Sequence, residues 1–304
     1  MEYVLQASAV KKYYGKYKAL DGLTLNVPKG SIYGLIGKNG SGKTTLIRLV
    51  CGLQSPTEGD MTLYGISTRD RAVNDVRRRL GAVVETPSVY LDMTAEDNMK
   101  EQYRILGMPS FDGIADILKL VGLENTGKKK VKNFSLGMRQ RLGIAVALAG
   151  NPDFLILDEP INGLDPQGIV EIRELILTLN AEHGITVLVS SHILDELAKI
   201  ATHFGFIDGG RTVREMSATE LDNACKKRTE ITVDDTKILS RVLDGMNVEY
   251  TVRSDCEADI FGEFGITELV LALHGENCSV RSLRERNQSL EAFYIDLVGG
   301  AGNV

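Results

Sequence analysis

Gly37-Lys38-Asn39-Gly40-Ser41-Gly42-Lys43-Thr44-Thr45 decides the fold. The stretch fits G-x-x-x-x-G-K-[ST], with Gly37, Gly42, Lys43 and Thr44 at the fixed positions. Before it, Ile32-Tyr33-Gly34-Leu35-Ile36 is a short apolar run bounded by glycines, which predicts a buried strand. After it, Thr44-Thr45-Leu46-Ile47-Arg48-Leu49-Val50 spaces its apolar residues as a helix does. Strand, glycine loop and helix together make a phosphate-binding loop. Glycines let the backbone curl so that successive N–H groups point at anionic oxygens. The helix N-terminus adds about half a positive charge there. Lys43 would bridge the β- and γ-phosphates, and the Thr44 hydroxyl would sit on Mg2+. The bland alternative, a glycine-rich turn with a stray lysine, leaves both flanks and the later motifs unexplained.

The remaining chain supplies what such a loop needs. Phe154-Leu155-Ile156-Leu157 is a second buried strand, and Asp158 and Glu159 follow at its C-terminal end. Open α/β sheets place their ligands at that end. Adjacent strand residues point to opposite faces, so the two acids need not share a task. Asp158 is placed to hold Mg2+, and Glu159 to orient or deprotonate a water. Gly184 to His192 forms a third buried strand, and its terminal histidine is a candidate for contact with a γ-phosphate. Gly81-Ala82-Val83-Val84-Glu85 predicts a further strand ending on a carboxylate.

Other segments are organisational. Tyr3 to Ala7 and Leu23 to Val27 predict short strands, with Lys12-Tyr13-Tyr14-Gly15 between them. Thr94 is a helix N-cap with Asp97 in the first turn, opening an all-helical insert interrupted at Gly107-Met108-Pro109-Ser110. Ser135 caps another helix, whose Leu142, Ala145, Val146 and Ala149 would face the core. After about Ala218 no phosphate motif recurs. Strands are expected at Glu230–Asp234, Val248–Arg253 and Cys278–Leu283, and helices at Thr236–Met246, Ile266–His274 and Leu290–Val298. The expected division is 1–217, with a helical subdomain at about 94–150, and an accessory α+β domain at 218–304, read as a structural or dimer-supporting module.

Bulk properties narrow the function. The chain has 304 residues, 43% hydrophobic and 25% charged, as in soluble globular proteins. No stretch approaches the roughly 20 apolar residues of a membrane span. The start lacks the basic and apolar regions of a signal peptide. A cytosolic location is expected, with any membrane role exercised through another chain. A net charge of −6 disfavours nucleic acid as a partner. The run Lys128-Lys129-Lys130-Val131-Lys132 reads as a solvated loop. Four scattered cysteines and four histidines show neither zinc spacing nor a disulfide framework.

With these motifs in this order, residues 2 to about 215 resemble the ATP-binding subunit of an ABC transporter. On that resemblance, Gly37 to Thr45 is the Walker A loop, and Gly37, Asn39, Gly40, Ser41, Gly42, Lys43, Thr44 and Thr45 contact nucleotide. Asp158 and Glu159 end the Walker B strand. Phe134-Ser135-Leu136-Gly137-Met138 stands where the family has L-S-G-G-Q, and Asn162-Gly163-Leu164-Asp165 looks like the D-loop. His192 is the switch histidine and Tyr14 the adenine-stacking aromatic. The implied fold is an α/β P-loop NTPase of ABC type. It has a mostly parallel core sheet, an antiparallel β subdomain and a helical insert.

Two positions depart from the family pattern. The signature keeps Ser135 and Gly137 but lacks the first glycine and the glutamine. Glu85 stands where the Q-loop glutamine is usual. Both features, and the C-terminal Ser289-Leu290-Glu291-Ala292-Phe293-Tyr294, resemble the bacitracin- and lantibiotic-type exporter branch. A carboxylate at position 85 is a hard oxygen ligand that would hold Mg2+ and strengthen the Mg2+ requirement.

The resemblance implies ATP and Mg2+ as cofactors, with Glu159, His192 and Lys43 catalytic and Thr44, Asp158 and Glu85 on the metal. It implies an integral-membrane permease and a second ATPase subunit, identical or paired, as partners. The location implied is cytoplasmic, peripheral on the inner face of the cell membrane. The competing class is a non-transport ABC ATPase acting on ribosomes, DNA or a protein assembly. A single phosphate loop and the lack of coiled-coil or zinc inserts count against it. Glu159 and His192 count against a regulator without turnover.

Overall fold

A computed structural model describes residues 2–225, 228–262, 264–286 and 290–300. The chain divides into two compact units, Met1–Ala218 and Thr219–Val304.

The first unit begins with a long hairpin, β1 (Tyr3–Tyr14) and β2 (Tyr17–Pro28), followed by β3 (Ile32–Ile36) and α1 (Lys43–Val50). Then come β4 (Glu58–Leu63), β5 (Ile66–Ser67), α2 (Val73–Arg77) and β6 (Leu80–Val83). The insert carries α3 (Ala95–Leu106) and α4 (Ile114–Leu120), and α5 (Leu136–Leu148) leads back to the sheet. The unit closes with β7 (Phe154–Asp158), α6 (Pro166–Ala181), β8 (Thr186–Ser191), α7 (Leu194–Ala198), β9 (His203–Asp208) and β10 (Arg211–Ser217).

Two sheets result. The larger runs β10-β9-β3-β8-β7-β6. All its pairs are parallel except β10 with β9. Its inner strands carry apolar runs because helices cover both faces: every residue of β3, β7 and β8 is buried, including the polar Asp158, Ser190 and Ser191 at the C-terminal ends. The smaller, antiparallel sheet runs β2-β1-β4-β5. Leu46, Ile47, Leu49 and Val50 of α1 join Val4, Leu5, Leu23 and Leu25 of the small sheet and Leu35, Ile156 and Leu188 of the large one in a single core. The helix that opens at the phosphate loop is thereby fixed from both sides.

The insert is held by local chemistry. Thr94 caps α3, accepting from the Asp97 N–H at 3.1 Å. Gly107 ends α3 in the left-handed conformation, at φ 68°. Asn98, only 3% exposed, bonds the Tyr90 N–H and the Tyr90 and Thr94 carbonyls. That pins the segment after Glu85 onto the helices. In α5, Leu142, Ala145 and Ala149 are buried, but Val146 is only half-buried. Ile144 and Leu148 complete that face instead.

Three expectations are corrected here. The hairpin is longer than the strands expected at its base, so Lys12, Tyr13 and Tyr14 lie within β1. The strand expected through Glu85 stops at Val83, and Glu85 takes a left-handed φ of 62°. The Gly184–His192 strand is ordered as β8 over Thr186–Ser191, leaving His192 just beyond it.

The second unit, which α8 (Ala218–Cys225) enters, holds β11 (Arg228–Val233), α9 (Thr236–Gly245), β12 (Tyr250–Val252) and β13 (Glu257–Phe261). It continues with α10 (Ile266–Gly275), β14 (Val280–Arg286) and α11 (Leu290–Gly300). Its antiparallel sheet runs β12-β13-β11-β14, a βαββαβ arrangement. Ile231, Val233 and Ile260 pack on Leu239, Leu243, Leu269 and Leu273 of α9 and α10. β13 was not expected, and the Val248–Arg253 strand shrinks to Tyr250–Val252. Ser289 of the C-terminal motif lies outside the described residues.

Candidate active site

The loop after β3 is shaped by glycine and closed by lysine. Gly42 precedes α1 at φ 108°, and a Cβ there would come within 2.7 Å of the Ala19 carbonyl oxygen and Leu20 Cδ2. No other residue fits both the turn and the space. Lys43 opens α1 and is only 5% exposed. Its Nζ donates to the Gly37 carbonyl at 2.6 Å and the Lys38 carbonyl at 3.3 Å. The ammonium is thus folded over the mouth of the loop.

Three strand ends meet this loop. The parallel register sets Ile36 beside Ser191 and Asp158 beside Ser190, so β3, β8 and β7 deliver their last residues to one line. Asp158 is 2% exposed. Its Oδ2 accepts from the Thr44 hydroxyl at 2.8 Å and its Oδ1 from the Ser190 hydroxyl at 2.5 Å. Glu159 turns the chain at φ 50°, and its N–H donates to Ser190 Oγ at 2.9 Å. A glutamate held in the left-handed region costs on the order of 1 kcal/mol, and such strain gathers at functional sites. The turn lays the Glu159 carboxylate between two partners: Oε1 is 3.3 Å from Lys43 Nζ, and Oε2 is 2.8 Å from His192 Nδ1.

The residues fit a bound nucleotide and its metal. Ser41 Oγ and Glu159 Oε1 are buried without a hydrogen-bond partner in the protein, which is costly unless a ligand or water serves them. The Thr44 hydroxyl and the Asp158 carboxylate are hard oxygen donors suited to Mg2+. No group of three or more His, Cys, Asp or Glu side chains able to hold a metal occurs among the described residues. A metal here would therefore complete its shell with substrate phosphates and water.

The structure distributes the other expected residues unevenly. An open pocket of about 160 Å³ is lined by Tyr17, Asn39, Gly40, Gly42, Lys43, Thr44, Thr45 and Glu159. The aromatic on that pocket is Tyr17, which the sequence reading passed over. Tyr14, expected there, hydrogen-bonds Gln54 through its hydroxyl and carries the Lys12 ammonium 5.3 Å from its ring centroid. Glu85 is bonded to Arg48. Ser135 caps α5, accepting from the Met138 N–H at 3.2 Å, and neither it nor Gly137 lines the phosphate-loop pocket. A Cβ on Gly137 would meet nothing nearer than Leu164 at 3.8 Å, so packing within this chain does not demand a glycine there. Asp165 caps α6, accepting from the Gly168 N–H at 3.3 Å. A larger cavity, about 660 Å³, lies near the opposite ends of β7 and β8, beside Pro152 and Ile185. None of the phosphate-loop groups lines it.

Comparison with known proteins agrees with this geometry. Residues 20–162 match the ABC transporter family model. The bacitracin transport ATP-binding protein BcrA of Enterococcus faecalis is 35% identical over 99% of this chain and 98% of its own. The lantibiotic transport ATP-binding protein SrtF of Streptococcus pyogenes is 45% identical over 70% of this chain and 90% of its own. Among solved structures, the ATP-binding cassette MJ0796, a dimer bound to ADP and Pi, is 27% identical with a TM-score of 0.63. The match covers 70% of this chain and 98% of the cassette. No helix among the described residues is long and apolar enough to cross a membrane. The chain belongs to the ABC transporter family, as an ATP-binding and ATP-hydrolysing subunit on the branch that holds the bacitracin and lantibiotic transport ATP-binding proteins.

Proposed function

We propose that this subunit hydrolyses ATP in a Mg2+-dependent reaction to power the export of a peptide antibiotic. The observation that carries the reading is the Glu159 carboxylate between Lys43 and His192, one residue beyond the Asp158–Thr44 pair. Loop N–H groups and Lys43 bind the β- and γ-phosphates. Thr44 and Asp158 would hold the metal, with Glu85 as a further oxygen ligand once released from Arg48. Bound Mg2+ neutralises charge on the phosphate oxygens. Glu159 orients a water in line with the β–γ bond and takes its proton, and His192 steadies Glu159 and the γ-phosphate. The water oxygen bonds to phosphorus as the bridging oxygen leaves with ADP. Little covalent work falls to the protein in such a transfer, so positioning and charge dominate.

Ser135 and Gly137 sit at the start of α5, outside this pocket. Their role is to cover the γ-phosphate bound by a second ATPase subunit, so two chains complete each other's sites head to tail. Asp165 lies at that same seam. The subunit works on the cytoplasmic side, docked on an integral-membrane permease. The relatives that cover nearly the whole chain are bacitracin transport proteins, which supports a peptide antibiotic as cargo.

Affinity purification of the tagged Glu159→Gln variant from native membranes, in mild detergent with MgATP, tests the reading. Recovery of a polytopic membrane protein in near-equal amount is expected. Recovery with ribosomes or nucleic acid instead would overturn the transport role.

A further inference from the structure

Glu85 leaves the sheet beside the reacting groups. β6 pairs with β7 in parallel register, Val83 opposite Leu157, so β6 ends beside β7 one residue before Asp158. The Glu85 carboxylate bonds the Arg48 guanidinium. Arg48 belongs to α1, four residues after Thr44. Positions i and i+4 share one helix face about 5–6 Å apart. Arg48 and Thr44 therefore stand one helical turn apart, on one face of the helix whose Arg48 meets Glu85. The Arg48 side chain is 36% exposed and that of Glu85 is 54% exposed, so the pair is an exchangeable one. Exposed ion pairs are weak enough to be traded for a better ligand.

We propose that Arg48 is a positioning residue that competes with the metal for the Glu85 carboxylate. The competition rests on the reading that Glu85, Thr44 and Asp158 face Mg2+. With Arg48 as partner, Glu85 is held by the guanidinium and its charge is neutralised. With the metal as partner, Glu85 leaves Arg48 and adds a hard oxygen to the shell. An amide would be contested less, because it offers the guanidinium a hydrogen bond but no opposite charge. Arg48 thus sets how much metal the site needs, and it couples metal binding to the segment after Glu85, which Asn98 fastens to the helical insert.

Mn2+ affinity of the full-length protein with a non-hydrolysable ATP analogue, read by electron paramagnetic resonance, tests this without turnover. Arg48→Met keeps the aliphatic stem and removes the fork. It is expected to tighten Mn2+ binding about two- to fivefold, the range an exposed ion pair supports. Arg48→Lys, which keeps the charge, should stay close to the parent. Glu85→Gln should weaken Mn2+ binding, and adding Arg48→Met to it should change nothing further. An equal tightening by Arg48→Met in the Glu85→Gln background would overturn the competition, since the effect would then be plain charge. So would an unchanged affinity in Arg48→Met while Glu85→Gln alone weakens binding. If Glu85→Gln alone leaves Mn2+ affinity unchanged, the metal reading of Glu85 fails, and the competition with it.

Discussion

His192 holds Glu159 through a single contact, Nδ1 to Oε2 at 2.8 Å, while the other carboxylate oxygen lies 3.3 Å from the buried ammonium of Lys43. The histidine leaves β8 and the glutamate leaves β7, and parallel neighbours deliver both to the same edge. If this contact positions the carboxylate, His192→Ala should lower kcat by up to about 10²-fold, the cost of a misplacement near 1 Å. ATP affinity should fall by less than kcat, because Lys43 and the loop N–H groups carry most of the phosphate binding. Steady-state turnover beside equilibrium binding of a fluorescent ATP analogue separates the two. A loss in affinity as large as the loss in kcat would leave His192 with the γ-phosphate contact alone and contradict its hold on Glu159.

Tyr17 and Tyr14 face each other across the end of the β1–β2 hairpin, paired in register. Tyr17 lines the phosphate-loop pocket, and Tyr14 is hydrogen-bonded to Gln54. Stacking of a base on an aromatic ring is worth about 1–3 kcal/mol. Tyr17→Ala should therefore weaken ATP binding by about 5- to 150-fold, and Tyr14→Ala by less than about threefold. The reverse order in a binding titration would return the base platform to Tyr14.

Cys51, at the C-cap of α1, packs against the core that α1 shares with both sheets. Burial pushes its thiol from the ordinary 9.0 up to about 12, with nearby Arg77 opposing and Asp158 assisting. The folded chain keeps a proton that the unfolded chain gives up near pH 9. Stability from this group is therefore whole below pH 9 and declines as pH rises towards 12. At pH 8 the thiolate at Cys51 should be about a thousandfold scarcer than at a free cysteine. Iodoacetamide labelling read by mass spectrometry should spare Cys51 in the native protein and modify it in urea. Equal rates in the two conditions would contradict the burial.

The legible parts of this molecule were those whose cause is local. Gly42 and Lys43 announce their loop because a left-handed turn and a buried charge admit few residues. β3, β7 and β8 read as short apolar runs because both faces of a parallel sheet are covered, with polar residues gathered at the C-terminal ends of β7 and β8. What stayed hidden depends on distant partners. β13 alternates acids with small or apolar residues, and its place in the sheet comes from pairing with β11, Thr229 opposite Ile260. That Tyr17 lines the phosphate-loop pocket while Tyr14 bonds Gln54 depends on hairpin register and on a residue forty positions from Tyr14. The partner of Glu85 lies on another element, thirty-seven positions before it. The left-handed turn at Glu159 runs against the preference of its residue type, as functional positions do.

Glu159→Gln puts the central claim to the most direct test. The amide keeps the shape and the contact with His192 but cannot accept a proton from water. Phosphate release under saturating MgATP should fall by roughly 10²–10⁴-fold, the usual worth of a positioned base. ATP binding should persist in the same preparation. Turnover within a few-fold of the parent would contradict the assignment and move the base to another group.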